Sequence, residues 1–94
     1  MLSIIAQPVV DPARLDEVKA AMLELVEDTL KDPGCIRYEL HQDSNQPNRL
    51  TFVELWESRE LWVQHMSGEA IQRFNAQIAG GIIDFELQEM ERIS

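Results

Sequence analysis

Leu15, Val18, Met22, Leu25, Val26, Thr29 and Leu30 recur at three- and four-residue spacing and fall on one stripe. That spacing is the mark of an amphipathic helix lying against a core. Residue chemistry sets its limits. Asp11 is a good N-cap, and Pro12 stands at the first helical position, where a missing N–H costs nothing. Asp16 and Glu17 lie near the positive end of the helix dipole. Asp32-Pro33-Gly34 stops the run, so a helix is expected from about residue 12 to 31. The rest of the chain must pack on its apolar face.

Both flanks of this helix read as strands. Leu2 to Val10 is a β-branched apolar run, best satisfied by a buried strand. From Cys35 to Gln42 the chain alternates. Ile36, Tyr38 and Leu40 take one face, and Cys35, Arg37, Glu39 and His41 take the other. Residues 43–48 (Asp-Ser-Asn-Gln-Pro-Asn) are dense in turn formers and lead to a further strand at 49–57, most simply as an antiparallel hairpin. At Ser58, a good N-cap, the period changes from strand to helix. One short helix runs to Met66. A second follows Ser67-Gly68-Glu69, with Ile71, Phe74 and Ile78 on its apolar face, and ends at Gly80-Gly81.

Ile82 to Ile93 reads as the last strand and is unusually long. Ile83, Phe85 and Leu87 share a face, whereas Met90 and Ile93 fall out of phase. A bulge near Gln88-Glu89 would do this, as would a strand whose second half leaves its sheet for a partner's. The order is β-α-β-β-α-β, the ferredoxin-like α+β plan, with helices on one face of a four-stranded sheet. The other face would be bare, which predicts a symmetric dimer through the sheet face and the C-terminal strand.

Composition narrows the function. Ninety-four residues make one domain, and a net charge of −9 argues against nucleic acid and against an anionic membrane surface. The lone Cys35 forms no internal disulfide, and no Cys/His cluster has zinc spacing. The N-terminus lacks the basic region of a signal peptide, and no segment approaches the ~20 apolar residues of a membrane span. A reducing cytoplasm is the expected setting. Asp11, Asp16, Glu17, Glu24, Glu27 and Asp28 read as the solvated face of the first helix, so no metal site is expected.

Residues 33–39 (Pro-Gly-Cys-Ile-Arg-Tyr-Glu) and 52–58 (Phe-Val-Glu-Leu-Trp-Glu-Ser), then His65 nine residues past Trp56, and Phe74, resemble the antibiotic biosynthesis monooxygenase family. The resemblance covers nearly the whole chain. It implies a dimeric α+β barrel. Members of that family include monooxygenases that act on quinols and polyketide aromatics without a cofactor, haem degraders and an isomerase of a phosphorylated sugar. The haem degraders carry tryptophan at the position of His65 and a haem-ligating histidine at the position of Asn75, so the resemblance does not extend to haem.

Oxygenation without a cofactor needs a dry aromatic cavity, a base, and hydrogen bonds to a developing oxyanion. His65 is the candidate base, although a histidine at a core edge bonded to backbone would look the same. Glu54 lies on one strand face between Phe52 and Trp56. It is either desolvated or paired, to Arg37, Arg49 or His65, and in the last case it would orient His65. Tyr38, Phe52, Trp56 and Phe74 are candidate pocket walls, although a Trp56 packed in the core would look the same, and Asn75 is either an inward polar group or a partner for local backbone. His41 reads as a solvated or dimer-interface residue and Cys35 as a small packing residue. The leading expectation is a cofactor-independent monooxygenase that takes a small quinol-like aromatic and O₂. The alternatives are an isomerase of a small hydroxy-carbonyl compound and a ligand-binding dimer without turnover.

Overall fold

The computed structural model describes all 94 residues. Burial alternates along β1 (Leu2–Val10): Leu2, Ile4, Ala6, Pro8 and Val10 point into the core, and the residues between them point away. β3 (Leu50–Trp56) repeats the pattern with Leu50, Phe52, Glu54 and Trp56 buried. With β2 (Cys35–Gln42) and β4 (Ile82–Met90) they form one antiparallel sheet in the order β2-β3-β1-β4. Pro8, which cannot donate to a ladder, sits where β1–β3 pairing lapses, between Ala6↔Phe52 and the isolated bridge Val9↔Arg49.

The helices cover one face, as expected for the ferredoxin-like α+β plan. α1 (Leu15–Thr29) places Val18, Met22, Leu25 and Thr29 in the core. Fully burying an aliphatic side chain of this size contributes about 1.5–3 kcal/mol. The predicted 12–31 helix is shorter than its pattern. Pro12–Arg14 forms a 3₁₀ turn capped by the Asp11 side chain, which accepts from Ala13 N–H at 3.0 Å, and the α-helix proper ends at Thr29. α2 (Arg59–Met66) starts where Ser58 Oγ accepts from Leu61 N–H at 3.2 Å, as its N-cap chemistry predicts. α3 (Glu69–Gln77) follows directly. Gly34 joins α1 to β2 at φ +82°, and a Cβ there would overlap the Leu61 side chain. Both facts require glycine. No helix is long and apolar enough to cross a membrane.

The last strand departs from expectation in two ways. It ends at Met90, and Gln88, Glu89 and Met90 pair with Ile5, Ile4 and Ser3 of the chain's own β1. Its second half therefore does not leave the sheet, and there is no bulge at Gln88-Glu89. The irregularity lies at the other end, between Val9 and Val10, where Asp84 and Ile82 take consecutive partners and Ile83 is left out. Ile83 thus does not share the core-facing side with Phe85 and Leu87, which stand opposite Pro8 and Ala6. The helices stop short of β4, and Phe85 remains half exposed although it faces inward. The space beneath it is the candidate site.

Candidate active site

A cavity of about 330 Å³ lies between the inner face of the sheet and the helices. Twelve of its sixteen lining residues are hydrophobic. Ala6, Phe52 and Leu87 come from the sheet, Leu25 from α1, and Ile71 and Phe74 from α3. Only four lining side chains carry polar groups: Tyr38, Glu54, His65 and Asn75. Asn75 is exposed, as is Phe85, so these two mark the mouth. Tyr38, Glu54 and His65 are buried and form a polar inner end.

His65 occupies the last turn of α2, and only 2% of its side chain is exposed. Its Nδ1 lies 3.1 Å from Asp32 Oδ2 in the loop after α1. A carboxylate only accepts, so Nδ1 carries the proton and Nε2 keeps its lone pair. Nε2 has no protein partner. The Trp56 ring lies over the imidazole at 4.8 Å between centroids with a 33° tilt, and Tyr38 meets it edge-on at 5.6 Å. Burial pushes the imidazole pKa below its usual value, and the bond to Asp32 offsets only part of that. The ring is therefore neutral at pH 7, with one fixed N–H and one free basic nitrogen.

Glu54 is 5% exposed, and its Oε1 accepts from Trp56 Nε1–H at 2.9 Å. Burial pushes its pKa up to about 7, with the indole N–H acting weakly the other way. Tyr38 packs on Phe52 at 5.4 Å. Burial, with the Glu54 charge second, pushes its phenol far above the usual range. Thr29 Oγ1 is close enough to favour the phenolate slightly, yet it is fully buried and makes no hydrogen bond of good geometry. Cys35, half-buried at the start of β2, is pushed up to about 11, chiefly by burial, which leaves it a protonated thiol. No three His, Cys, Asp or Glu side chains converge as a metal-ligand set.

The sequence model of the family described as antibiotic biosynthesis monooxygenase matches residues 1–77. The chain belongs to that family. A crystal structure of an antibiotic biosynthesis monooxygenase superposes over the full length of both chains at 30% identity with a TM-score of 0.94. A protein of Shewanella oneidensis is 28% identical with a TM-score of 0.87, over 95% of this chain and 87% of that one. An uncharacterised Synechocystis protein is 28% identical over 65 residues, which is 69% of this chain and 44% of that protein. The chain thus spans less than half the length of that curated relative.

In this family member the fold brings Tyr38, Phe52, Glu54, His65, Phe74 and Asn75 to one cavity. Two expectations are corrected. Trp56 is not a wall: it is fully buried behind Glu54 and His65 and touches both. Glu54 does not orient His65, because its hydrogen bond goes to Trp56, and the orienting group is Asp32. In the sequence, Asp32 reads only as a helix stop. It stands 33 residues from His65 in the chain, and no local spacing links the two. Strand alternation alone puts Phe85 and Leu87 on one face. Their place in the cavity wall follows from where α3 docks. His41 lies on the outer face, exposed beside Glu39.

Proposed function

We propose that this protein is a cofactor-independent monooxygenase that oxidises a small quinol-like aromatic with O₂. One observation carries the reading: a neutral histidine, anchored through Nδ1 to Asp32 and unbonded at Nε2, lines an otherwise apolar cavity. An apolar cavity of this size suits a ligand of one or two aromatic rings. With so few polar groups and no lysine or arginine in the wall, it suits a sugar phosphate or small hydroxy-ketone poorly.

The chemistry follows from the base. Nε2 takes the proton of a ligand hydroxyl, leaving an electron-rich anion. The anion passes one electron to O₂, giving superoxide and a ligand radical. Their recombination forms a carbon–oxygen bond and a peroxide. The O–O bond then breaks with loss of water, so one oxygen atom stays in the product and the ligand supplies both electrons. Tyr38, Phe52 and Phe74 hold the ring, and the dry wall shields the radical pair.

We also infer that the protein acts in a reducing cytoplasm and pairs as a dimer through its outer sheet face, where Ile5, Val53 and Leu55 lie side by side. The functional test is O₂ uptake with menadiol above the autoxidation background. His65→Ala should lower the enzymic rate at least tenfold, within the range for losing a general base. No uptake above background across a panel of quinols would refute the reading. Solvent deuterium incorporation into a hydroxy-ketone without O₂ would replace it with an isomerase.

A further inference from the structure

Glu54 is a buried carboxyl group in the cavity wall that the reaction above leaves unused. We propose that Glu54 stands in the cavity as a neutral carboxylic acid and donates a hydrogen bond to the ligand oxygen that His65 deprotonates. The inference rests on the reading of His65 as base.

The geometry argues for the neutral form. Trp56 Nε1–H occupies Oε1, and this is the only hydrogen bond the protein gives the carboxyl group. No lysine or arginine pairs with it. An ionised carboxylate this buried needs a cation or several donors, and a protonated one needs neither. The surroundings supply no cation from any side. Across the β2–β3 ladder its partner is Tyr38, and across β1–β3 it is the apolar Ile4. The Cys35 thiol lies nearby on β2, and α1 contributes Met22, Leu25 and Thr29. From α2 comes His65, which is neutral, with Asp32 behind it. On β4, Glu89 shares the sheet face two strands away and is paired with Arg59. The upward pKa shift of Glu54 agrees in direction.

The role follows from the second oxygen. Oε2 has no protein partner, and Glu54 lines the cavity. As a carboxylate it would repel the anion that His65 creates. As an acid it donates to that anion and keeps its own proton, while the ligand proton rests on Nε2. The base and the acid share one bracket, since Trp56 stacks on the first and bonds the second.

Two measurements without O₂ test this. The first is anaerobic titration with 2-naphthol, which has a single phenolic oxygen. Glu54→Gln retains a donor and should keep the dissociation constant within about threefold of wild type. Glu54→Leu loses the donor and should weaken binding by about ten- to a hundredfold. A Gln variant as weak as the Leu variant would overturn the proposal. The second is the infrared carbonyl band of a neutral carboxyl group, expected at about pH 6 in the wild type and missing from Glu54→Gln. Its absence from the wild type overturns the proposal even if no variant binds naphthol. Neither result depends on oxygen uptake, so a failed oxygenase assay would leave both standing.

Discussion

Asp32 Oδ2 accepts the only hydrogen bond that the His65 side chain makes. Replacing Asp32 with alanine removes the group that selects the Nδ1–H tautomer and partly offsets the cost of charging a buried ring. The titration midpoint of His65, read by ¹⁵N NMR and separable from the exposed His41, should fall further, and the ring should become a mixture of tautomers. Turnover should drop roughly tenfold or more, as it does when an oriented imidazole loses its carboxylate. Glu54 gives a second prediction at this scale. Its folded pKa is raised from 4.5 to about 7, so the folded chain keeps a proton that the unfolded chain has lost across that window. Its contribution to stability is full below pH 4.5, is lost as pH rises through about 7, and is flat above. His65, with its pKa lowered, acts in the opposite sense, and its contribution is lost as pH falls through the depressed value. Glu54→Gln cancels only the first effect. Its stability relative to wild type should rise between these limits by on the order of 3 kcal/mol. Urea titrations across the range check this, and a constant difference would refute it.

At the scale of elements, the turn between α1 and β2 is the least tolerant joint. Gly34→Ala must adopt a left-handed conformation and displace Leu61, the third residue of α2. A loss of roughly 2–4 kcal/mol in urea unfolding is expected. The opposite holds past Met90. Residues 91–94 lie outside any strand and are exposed, so deleting them should change stability by less than about 0.5 kcal/mol. Deletion from Gln88 would instead strip three residues of pairing from β1. The elements themselves were legible because each carries its period: the stripe of α1, the alternation of β3, the cap at Ser58. Phe52, Glu54 and Trp56 share a face for the same reason. Which of them meets the cavity was not legible, because that depends on how α2 and α3 dock. Trp56 fell behind the wall once His65 lay over it. The Asp32–His65 contact was equally hidden, since it joins a loop to a helix through tertiary packing alone. The length of β4 was misread because apolar residues run to Ile93, which is almost fully exposed.

For the whole molecule, charge and shape make a joint prediction. Ile5, Val53 and Leu55 form a half-buried apolar centre on the outer face of the sheet. A dimer through that face brings together two chains of net charge −9. Sedimentation velocity should find a dimer at micromolar concentration, with an affinity that increases as salt screens the repulsion. Val53→Glu should give a folded monomer, whereas a wild-type monomer at all salt concentrations would refute the pairing. The open side of the cavity has a further consequence. Its inner end is built from β2, β3 and α2, whereas Phe85 at the mouth and Leu87 in the wall belong to β4, beyond residues 1–77 that the family model matches. If His65 and Glu54 handle protons as proposed, substitutions along this edge strand should change which molecules enter while leaving those two groups undisturbed. Such a division of labour would let lineages exchange one substrate for another by drift along a single strand, without rebuilding the reactive machinery.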